Sequence, residues 1–156
     1  MRRRETVSGT VIRPAQSADA ARLAQIAHAA YAKYIPRMGR EPAPMSADYG
    51  GAIAAGHVAV VESDGAVAGY LIGLPDRDGY FIENIAVDPA FQGAGLGSAL
   101  LRHAATEARR FALPSLWLYT NAAMTENLAI YGRFGFVETH RLVEHGYNRV
   151  YMRLSL

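Results

Sequence analysis

The residue types best suited to chemistry lie together in a glycine-rich stretch, FQGAGLGSALL, from Phe91 to Leu101. The stretch follows a predicted strand, GYFIENIAV, and opens an apolar pattern with helical spacing from about Gly95 to Phe111. A helix N-terminus offers unpaired N–H groups and the positive end of the helix dipole, and glycines let a ligand approach the backbone closely. These features predict an anion site, most often for a phosphate group; the alternative is a tight turn that binds nothing.

Two common phosphate-binding loops do not fit this stretch. A Walker-type loop needs a Lys and then Ser or Thr after its last glycine, whereas Gly97 is followed by Ser98 and Ala99. A dinucleotide-binding loop needs G-x-G-x-x-G and an acidic residue about twenty residues later. Counted from Gly93, the sixth position is Ser98, and the following ARRFALPSLW contains no acid.

The stretch fits a third pattern, Q/R-x-x-G-x-G/A, which here follows VDP and begins at Gln92. A second motif follows in NLAIYGRFGF, where Asn127 and Tyr131 lie four residues apart and share one helical face. With both motifs in this order, the chain resembles the GNAT superfamily of acyl-CoA-dependent N-acetyltransferases. The resemblance spans Ala59–Phe136, and more loosely the whole chain.

The elements around these motifs alternate between strand and helix patterns. Asp64-Gly65 between two apolar runs predicts a hairpin, residues 136–156 predict a closing hairpin, and Ser17 and Ser46 are predicted helix N-caps. The mixture predicts a layered α/β (α+β) domain. The resemblance implies a GNAT-like mixed, mostly antiparallel central sheet of about six to seven strands flanked by about four helices. It also implies a splay between the strands at 79–88 and 115–121.

The resemblance implies a binding site for acetyl-CoA. The turn would wrap the pyrophosphate of the cofactor through Gln92, Gly93, Ala94, Gly95, Leu96, Gly97 and Ser98. Family strands at the position of ENIAV carry a β-bulge, so that Ile85, Ala86 and Val87 would pair with the pantetheine arm. An N–H of Ile85 or Ala86 would face the thioester oxygen. Asn127 would bond the pantetheine arm or the acceptor loop.

Two residues are candidates for proton transfer. The resemblance implies that the Tyr131 hydroxyl protonates the departing thiolate; the alternative is a core aromatic beside Leu128 and Phe134. Glu83 is the candidate base, because a carboxylate within the apolar strand YFIENIAV would be partly desolvated and its pKa raised. The alternative is a strand Glu that pairs with an Arg on the sheet face.

The resemblance implies an acceptor site between YAKYIPRMGREPAPMSADY (31–49), which contains the Pro-rich loop PRMGREPAPM, and the closing hairpin. Tyr34, Tyr49 and Glu144 are the candidate substrate contacts. The acidic residues of these segments predict a small cationic amine as acceptor; they are Glu41, Asp48, Glu138 and Glu144.

The composition of the chain excludes several other kinds of site and partner. The chain has no cysteine, which excludes disulfides, thiolate zinc sites and thiol catalysis, and no metal is expected. The net charge of +2 owes much to Arg2–Arg4, so no nucleic-acid surface is predicted. Residues 1–9 are predicted to be a mobile basic tail and 10–156 a single domain. No signal peptide or membrane partner is expected, and the predicted location is cytoplasmic.

Three functions are therefore weighed. The first is an acetyl-CoA-dependent N-acetyltransferase (an acyltransferase) that moves an acetyl group to a primary amine of a small molecule or peptide by direct attack in a ternary complex. The second is a non-catalytic acyl-CoA-binding sensor or partner-binding module, and the third an unrelated nucleotide-binding domain. The terminal strand RVYMRLSL, as an edge strand, would allow a homodimer. The sequence does not decide the identity of the amine acceptor, the acyl preference beyond acetyl or the identity of the general base.

Overall fold

A computed structural model describes residues 5–7 and 9–156 of the chain. The strands are β1 (Glu5–Val7), β2 (Thr10–Pro14), β3 (Val58–Ser63), β4 (Ala66–Asp76), β5 (Gly79–Val87), β6 (Ser115–Asn121), β7 (Val137–Glu144) and β8 (Tyr147–Ser155). The α-helices are α1 (Ala20–Tyr31), α2 (Ile35–Met38), α3 (Tyr49–Ala54), α4 (Leu96–Arg110) and α5 (Thr125–Phe134).

The chain divides into two compact units by its internal contacts. The first unit comprises the described residues up to Gly73 together with Asn84–His103, and the second comprises Leu74–Glu83 and Ala104–Leu156. Strands β4 and β5 and helix α4 contribute residues to both units. Whether 10–156 behaves as a single domain stays a prediction.

The first unit is a sheet in the order β1-β2-β3-β4-β5, to which β5 contributes residues 84–87. Strands β2, β3 and β4 pair antiparallel, with Ile12 opposite Val61 and Val60 opposite Tyr70. On α1, Leu23 and Ile26 are fully buried. Their spacing is that of the apolar helical face expected from the sequence.

The second unit contains strands in the order β5-β6-β8-β7. Strands β5 and β6 pair in parallel only at Tyr80↔Leu116 and Phe81↔Trp117, which leaves Ile82 and Glu83 beyond the end of the ladder. Strand β8 is antiparallel to both of its neighbours. A mixed, mostly antiparallel sheet with α-helices is the predicted fold class, which is confirmed.

Both predicted hairpins are present with left-handed turn residues. Asp64 and Gly65 join β3 to β4 with φ values of 49° and 84°. His145 and Gly146 join β7 to β8 with φ values of 52° and 79°. Positive φ at both central residues is typical of the type I′ turn, whose twist matches that of the flanking strands.

Two predicted helix caps, Ser17 and Ser46, are wrong. Ser17 lies inside a short 3-10 segment before α1, and the Asp19 carboxylate accepts the Gln16 N–H at 2.7 Å. Helix α3 begins after Asp48, whose carboxylate accepts the Gly51 N–H at 3.0 Å, rather than at Ser46. The predicted Pro-rich loop PRMGREPAPM contains most of the single turn of α2, Ile35–Met38.

The two ends of the chain also differ from expectation. Strand β8 is hydrogen-bonded to β6 on one side and β7 on the other, so it is no edge strand and cannot pair with a second copy as predicted. The homodimer itself stays a prediction. At the other end, Glu5–Val7 pair with β2 where a mobile tail was expected; residues 1–4 and 8 lie outside the described part.

No helix within 5–7 and 9–156 has the length and apolar character needed to cross a membrane.

Candidate active site

The glycine-rich turn joins a short 3-10 segment, Pro89–Phe91, to the first turn of α4. Gly93 and Gly95 have φ values of +88° and +78°, a backbone conformation that side chains rarely adopt. A Cβ on either residue would meet no atom within 4 Å. The left-handed backbone, rather than crowding within the protein, therefore requires glycine at these two positions.

The turn also presents unpaired backbone amides. The hydrogen-bond ladder of α4 begins where the Ala99 N–H donates to the Gly95 carbonyl at 3.0 Å. The N–H groups of Leu96, Gly97 and Ser98 precede this bond and have no intrahelical acceptor. Gly97 and Ser98 are half-buried, while the turn from Gln92 to Gly95 is exposed. These amides and the helix dipole suit a phosphate group.

Asp88 anchors the chain as it enters the turn. Its carboxylate accepts the Ala90 N–H at 2.9 Å and an Arg22 guanidinium N–H at 2.7 Å. Its own N–H donates to the Ala68 carbonyl at 2.8 Å, and Arg22 donates to the Val67 carbonyl at 3.0 Å. The Ala90 N–H and the Arg22 charge hold the pKa of Asp88 below its usual value.

Asp88→Asn should lower the free energy of unfolding by about 1 kcal/mol near pH 7, because the bond to Arg22 loses its charge. A lowered carboxyl pKa stabilises the folded state above the unfolded-state value of about 3.9, and that stabilisation is lost as pH falls through the folded-state value. The difference in free energy of unfolding between wild type and variant should therefore stay constant from pH 7 to about 4 and become smaller below about pH 4. Urea unfolding across this range measures it. If this difference in free energy already became smaller between about pH 7 and 5, the ionisation of Asp88 would not be its cause.

The last residues of β5 present alternate carbonyls to opposite edges. The Ile85 carbonyl accepts the Tyr31 hydroxyl at 2.8 Å, and the Val87 carbonyl accepts the Gln92 side-chain amide at 3.3 Å. The Ala86 carbonyl instead faces β4, where it lies 2.7 Å from the place of a Cβ on Gly69. Because the N–H and C=O of one strand residue point to the same edge, Ile85 and Val87 share the edge away from β4.

This geometry separates the three residues predicted to pair with a pantetheine arm. Ile85 and Val87 have their backbone groups on one edge, as such pairing requires. Ala86 is buried and its backbone is directed at β4, so the prediction for Ala86 loses its basis. The resemblance implies that the N–H of either Ile85 or Ala86 faces the thioester oxygen, and the geometry favours the N–H of Ile85.

A buried triangle of polar side chains precedes this edge. The Tyr70 hydroxyl donates to Asn84 Oδ1 at 2.9 Å, and Asn84 Nδ2 donates to the Tyr49 hydroxyl at 3.0 Å. The two hydroxyl oxygens lie 3.0 Å apart, and Tyr49 also donates to the Pro44 carbonyl at 2.6 Å. Burial raises the pKa of Tyr49 and that of Tyr70, so both stay neutral. The triangle ties β5 at Asn84 to β4 and to α3.

Sequence reasoning assigned no role to Tyr70 or to Asn84. The signal was present, because each is a polar side chain within an otherwise apolar strand. A buried polar group needs a partner, so two such residues in consecutive strands of a hairpin are candidates for each other.

Tyr34 and Tyr49, the predicted acceptor contacts of the first unit, are interior residues. Tyr34 is 1% exposed, and its ring lies 5.0 Å from Lys33 Nζ and 5.2 Å from the Arg37 guanidinium. Tyr49 is buried in the polar triangle. Neither ring is exposed to solvent, so the structure does not support their contact with an acceptor, which stays a prediction.

In the second unit, Asn127 and Tyr131 both lie on α5, as predicted. Tyr131 is 7% exposed and its ring packs edge-to-face on Phe136, with centroids 5.8 Å apart and planes at 64°. Asn127 is half-buried, and its side-chain amide lies 3.7 Å from the sulfur of Met124. The helix ends at Phe134, and Gly135 follows as its C-cap with φ +123°.

Glu83 is exposed, so the expected partial burial of its carboxylate is wrong. The physical reason is strand alternation. Ile82 and Asn84 point to the buried face of β5, and Glu83 therefore points to the opposite face together with Phe81. Its role as a base stays a prediction, but it no longer rests on desolvation.

Three of the four carboxylates expected to attract a cationic acceptor are paired within the protein. Glu144 accepts a short hydrogen bond from the Tyr151 hydroxyl and lies 3.5 Å from Arg149; these contacts hold its pKa below the usual value. Glu138 pairs with Arg141 at 2.9 Å, and Asp48 caps α3. The prediction of a small cationic acceptor therefore loses its observational basis.

In the part of the chain that the structure describes, no group of three or more His, Cys, Asp or Glu side chains is placed to hold a metal ion.

Comparison with known proteins identifies relatives of this arrangement. The family model described as the acetyltransferase (GNAT) family matches residues 23–136. The chain is 37% identical over 75 residues to the ribosomal protein bS18-alanine N-acetyltransferase of Escherichia coli strain K12, a match that covers 48% of this chain. The match covers 51% of that protein, so the chain spans about half the length of the curated relatives it matches.

Solved structures share the fold over nearly the whole chain. The PaiA N-acetyltransferase of Thermoplasma acidophilum, in complex with coenzyme A, has a TM-score of 0.81 at 13% identity and covers 96% of this chain and 100% of its own. Such low identity shows the fold alone. The yncA protein of Salmonella typhimurium, with acetyl-CoA as its cofactor, has a TM-score of 0.70 at 25% identity, covering 95% and 94%.

Proposed function

Because the chain belongs to the acetyltransferase (GNAT) family, we propose that it is an acetyl-CoA-dependent N-acetyltransferase that acts on a primary amine. One observation carries the proposal: left-handed Gly93 and Gly95 place the unpaired amides of the first turn of α4 at an exposed turn. Such amides bind a phosphate group without a charged side chain. The pyrophosphate of acetyl-CoA fits that requirement, and Gln92–Ser98 would hold it.

The reaction is a direct transfer in a ternary complex. The amine nitrogen attacks the thioester carbonyl, an N–C bond forms, and the C–S bond of acetyl-CoA breaks. Tyr131 supplies a proton to the departing thiolate, and the surplus proton of the amine passes to a base. Ile85 and Val87 would pair with the pantetheine arm, and the Ile85 N–H would stabilise the developing oxyanion. Asn127 would bind the arm or the acceptor loop.

The acceptor is a primary amine of a small molecule or a peptide. The Escherichia coli relative is named for the alanine of a ribosomal protein, which makes a peptide N-terminus one class to test. Contact of the acceptor with Tyr34, Tyr49 or Glu144 stays a prediction. The cytoplasmic location and the homodimer stay predictions.

The experiment that tests the function measures thiol release from acetyl-CoA across polyamines, amino acids, aminoglycosides and short peptides. The chain contains no cysteine, so it adds no thiol background. Amine-dependent release above the hydrolysis blank is the expected result, and it names the acceptor class. Binding of acetyl-CoA with no release from any amine would instead favour a non-catalytic acyl-CoA-binding module. Competition by ATP or NAD for the same site would favour another nucleotide-binding function.

Glu83→Gln tests the proposed base. A base must be deprotonated to act, so kcat/KM of the wild type falls at low pH, where the base is protonated. The variant should be slower and should lose this acidic limb, which a pH–rate profile measures. Asp76→Asn removes a carboxylate from the same unit and is the control. An acidic limb that persists in Glu83→Gln would assign the limb to another group.

A further inference from the structure

The edge of β5 that faces away from β4 at Ile85 and Val87 is called the free edge here. Two side chains donate hydrogen bonds to its carbonyls. Within a sheet, each strand carbonyl is normally paired with an N–H of the neighbouring strand. The Ile85 carbonyl is paired with the Tyr31 hydroxyl at 2.8 Å and the Val87 carbonyl with the Gln92 side-chain amide at 3.3 Å. Both carbonyls point away from β4, so these donors stand where a strand would otherwise pair.

The two donors are held with different rigidity. Tyr31 is the last residue of α1 and is 6% exposed; its ring lies 6.2 Å from that of Tyr34, and the helix behind it is anchored by Leu23 and Ile26. Its hydroxyl is therefore placed by packing before any ligand arrives. Gln92 is exposed and belongs to the turn itself, and its bond is longer. Tyr31 is the stronger determinant of the two.

We propose that Tyr31, assisted by Gln92, is a positioning residue that holds the free edge of β5 in the shape that receives the pantetheine arm. This inference rests on the proposed function, since it concerns the acyl-CoA site. A carbonyl oxygen has two lone pairs, so Ile85 accepts the tyrosine hydroxyl and keeps capacity for an amide of the arm. The hydroxyl fixes the direction of this carbonyl and, with it, the peptide plane that joins Ile85 to Ala86.

Tyr31→Phe tests the inference, with binding of two ligands measured by calorimetry. Acetyl-CoA carries the pantetheine arm, whereas adenosine 3′-phosphate 5′-diphosphate carries the nucleotide and pyrophosphate without it. The variant should bind acetyl-CoA about five- to tenfold more weakly, the effect of one hydrogen bond, and bind the nucleotide within about twofold of wild type. The ratio of the two affinities cancels any loss of folded protein, since partial unfolding weakens both ligands equally.

Tyr119→Phe, which removes a hydroxyl from β6, is the matched control and should leave both affinities unchanged. Equal weakening of the two ligands by Tyr31→Phe, or weakening of neither, overturns the inference and leaves the proposed function intact. A wild-type chain that binds the nucleotide no more weakly than acetyl-CoA also overturns it, because the arm then adds no affinity. A wild-type chain that binds neither ligand overturns the proposed function and the inference together.

Discussion

Replacing Tyr131 with phenylalanine should lower kcat about a hundredfold, the contribution expected of a positioned general acid. The departing thiolate would then leave without a proton donor. The KM for acetyl-CoA should change by less than about twofold, because a group that acts only in the transition state adds little to ground-state binding. Steady-state kinetics by thiol release, with the best amine of the acceptor panel, measure both constants.

The substitution is conservative in shape. The ring of Tyr131 packs edge-to-face on Phe136, and phenylalanine retains that contact. A matched loss of hydroxyl in Tyr119→Phe should leave kcat unchanged. If kcat of Tyr131→Phe equals that of wild type, Tyr131 is a core aromatic, which is the alternative that the sequence leaves open.

Local sequence signals located the features that depend on neighbouring residues. Asp64-Gly65 predicts its hairpin because two consecutive left-handed residues are needed there, and few dipeptides adopt them. The glycine turn before α4 is predictable for the same reason. Asn127 and Tyr131 share α5 because their spacing matches a helical turn. The fold class followed from the order of such elements together with the resemblance.

Features that depend on distant residues could not be located in this way. The polar triangle joins Tyr49, Tyr70 and Asn84, which are 21, 14 and 35 residues apart in pairs. Tyr70 and Asn84 each stand out as a polar side chain in a largely apolar strand, but no periodicity gives their register or adds Tyr49, and only the folded structure brings the three together. The same holds for the pairing of the Tyr31 hydroxyl with the Ile85 carbonyl, which are 54 residues apart.

The errors have physical causes that can be named. Asp48 rather than Ser46 caps α3, because its carboxylate lies next to the helix start and accepts the Gly51 N–H. Ser17 does not cap α1, because it lies inside the preceding 3-10 segment, where the Asp19 carboxylate bonds back to the Gln16 N–H. Glu83 was expected to be buried because its neighbours are apolar. In a strand, however, the neighbours of an exposed residue point to the other face.

Gly69 in β4 should be the most sensitive glycine outside the turn. A Cβ at this position would lie 2.7 Å from the Ala86 carbonyl oxygen and 3.3 Å from Val87 Cα, both backbone atoms, and 3.1 Å from Val61 Cγ1. Backbone atoms cannot rotate away, so β4 and β5 would have to separate. A glycine inside a strand is typical of such a close approach, and the sequence therefore carried this signal in AVAGYL.

Gly69→Ala should lower the free energy of unfolding by about 1–3 kcal/mol, the cost of overpacking, as measured by urea unfolding. It should also weaken acetyl-CoA binding about tenfold or more, because the displaced segment carries Ile85 and Val87, the proposed partners of the pantetheine arm. Gly50→Ala is the matched control in the same unit, since its Cβ would meet only Asp48 Oδ1 at 3.8 Å, an ordinary contact. A Gly69→Ala variant that loses stability but binds acetyl-CoA as tightly as wild type would show that the arm does not depend on this edge of β5.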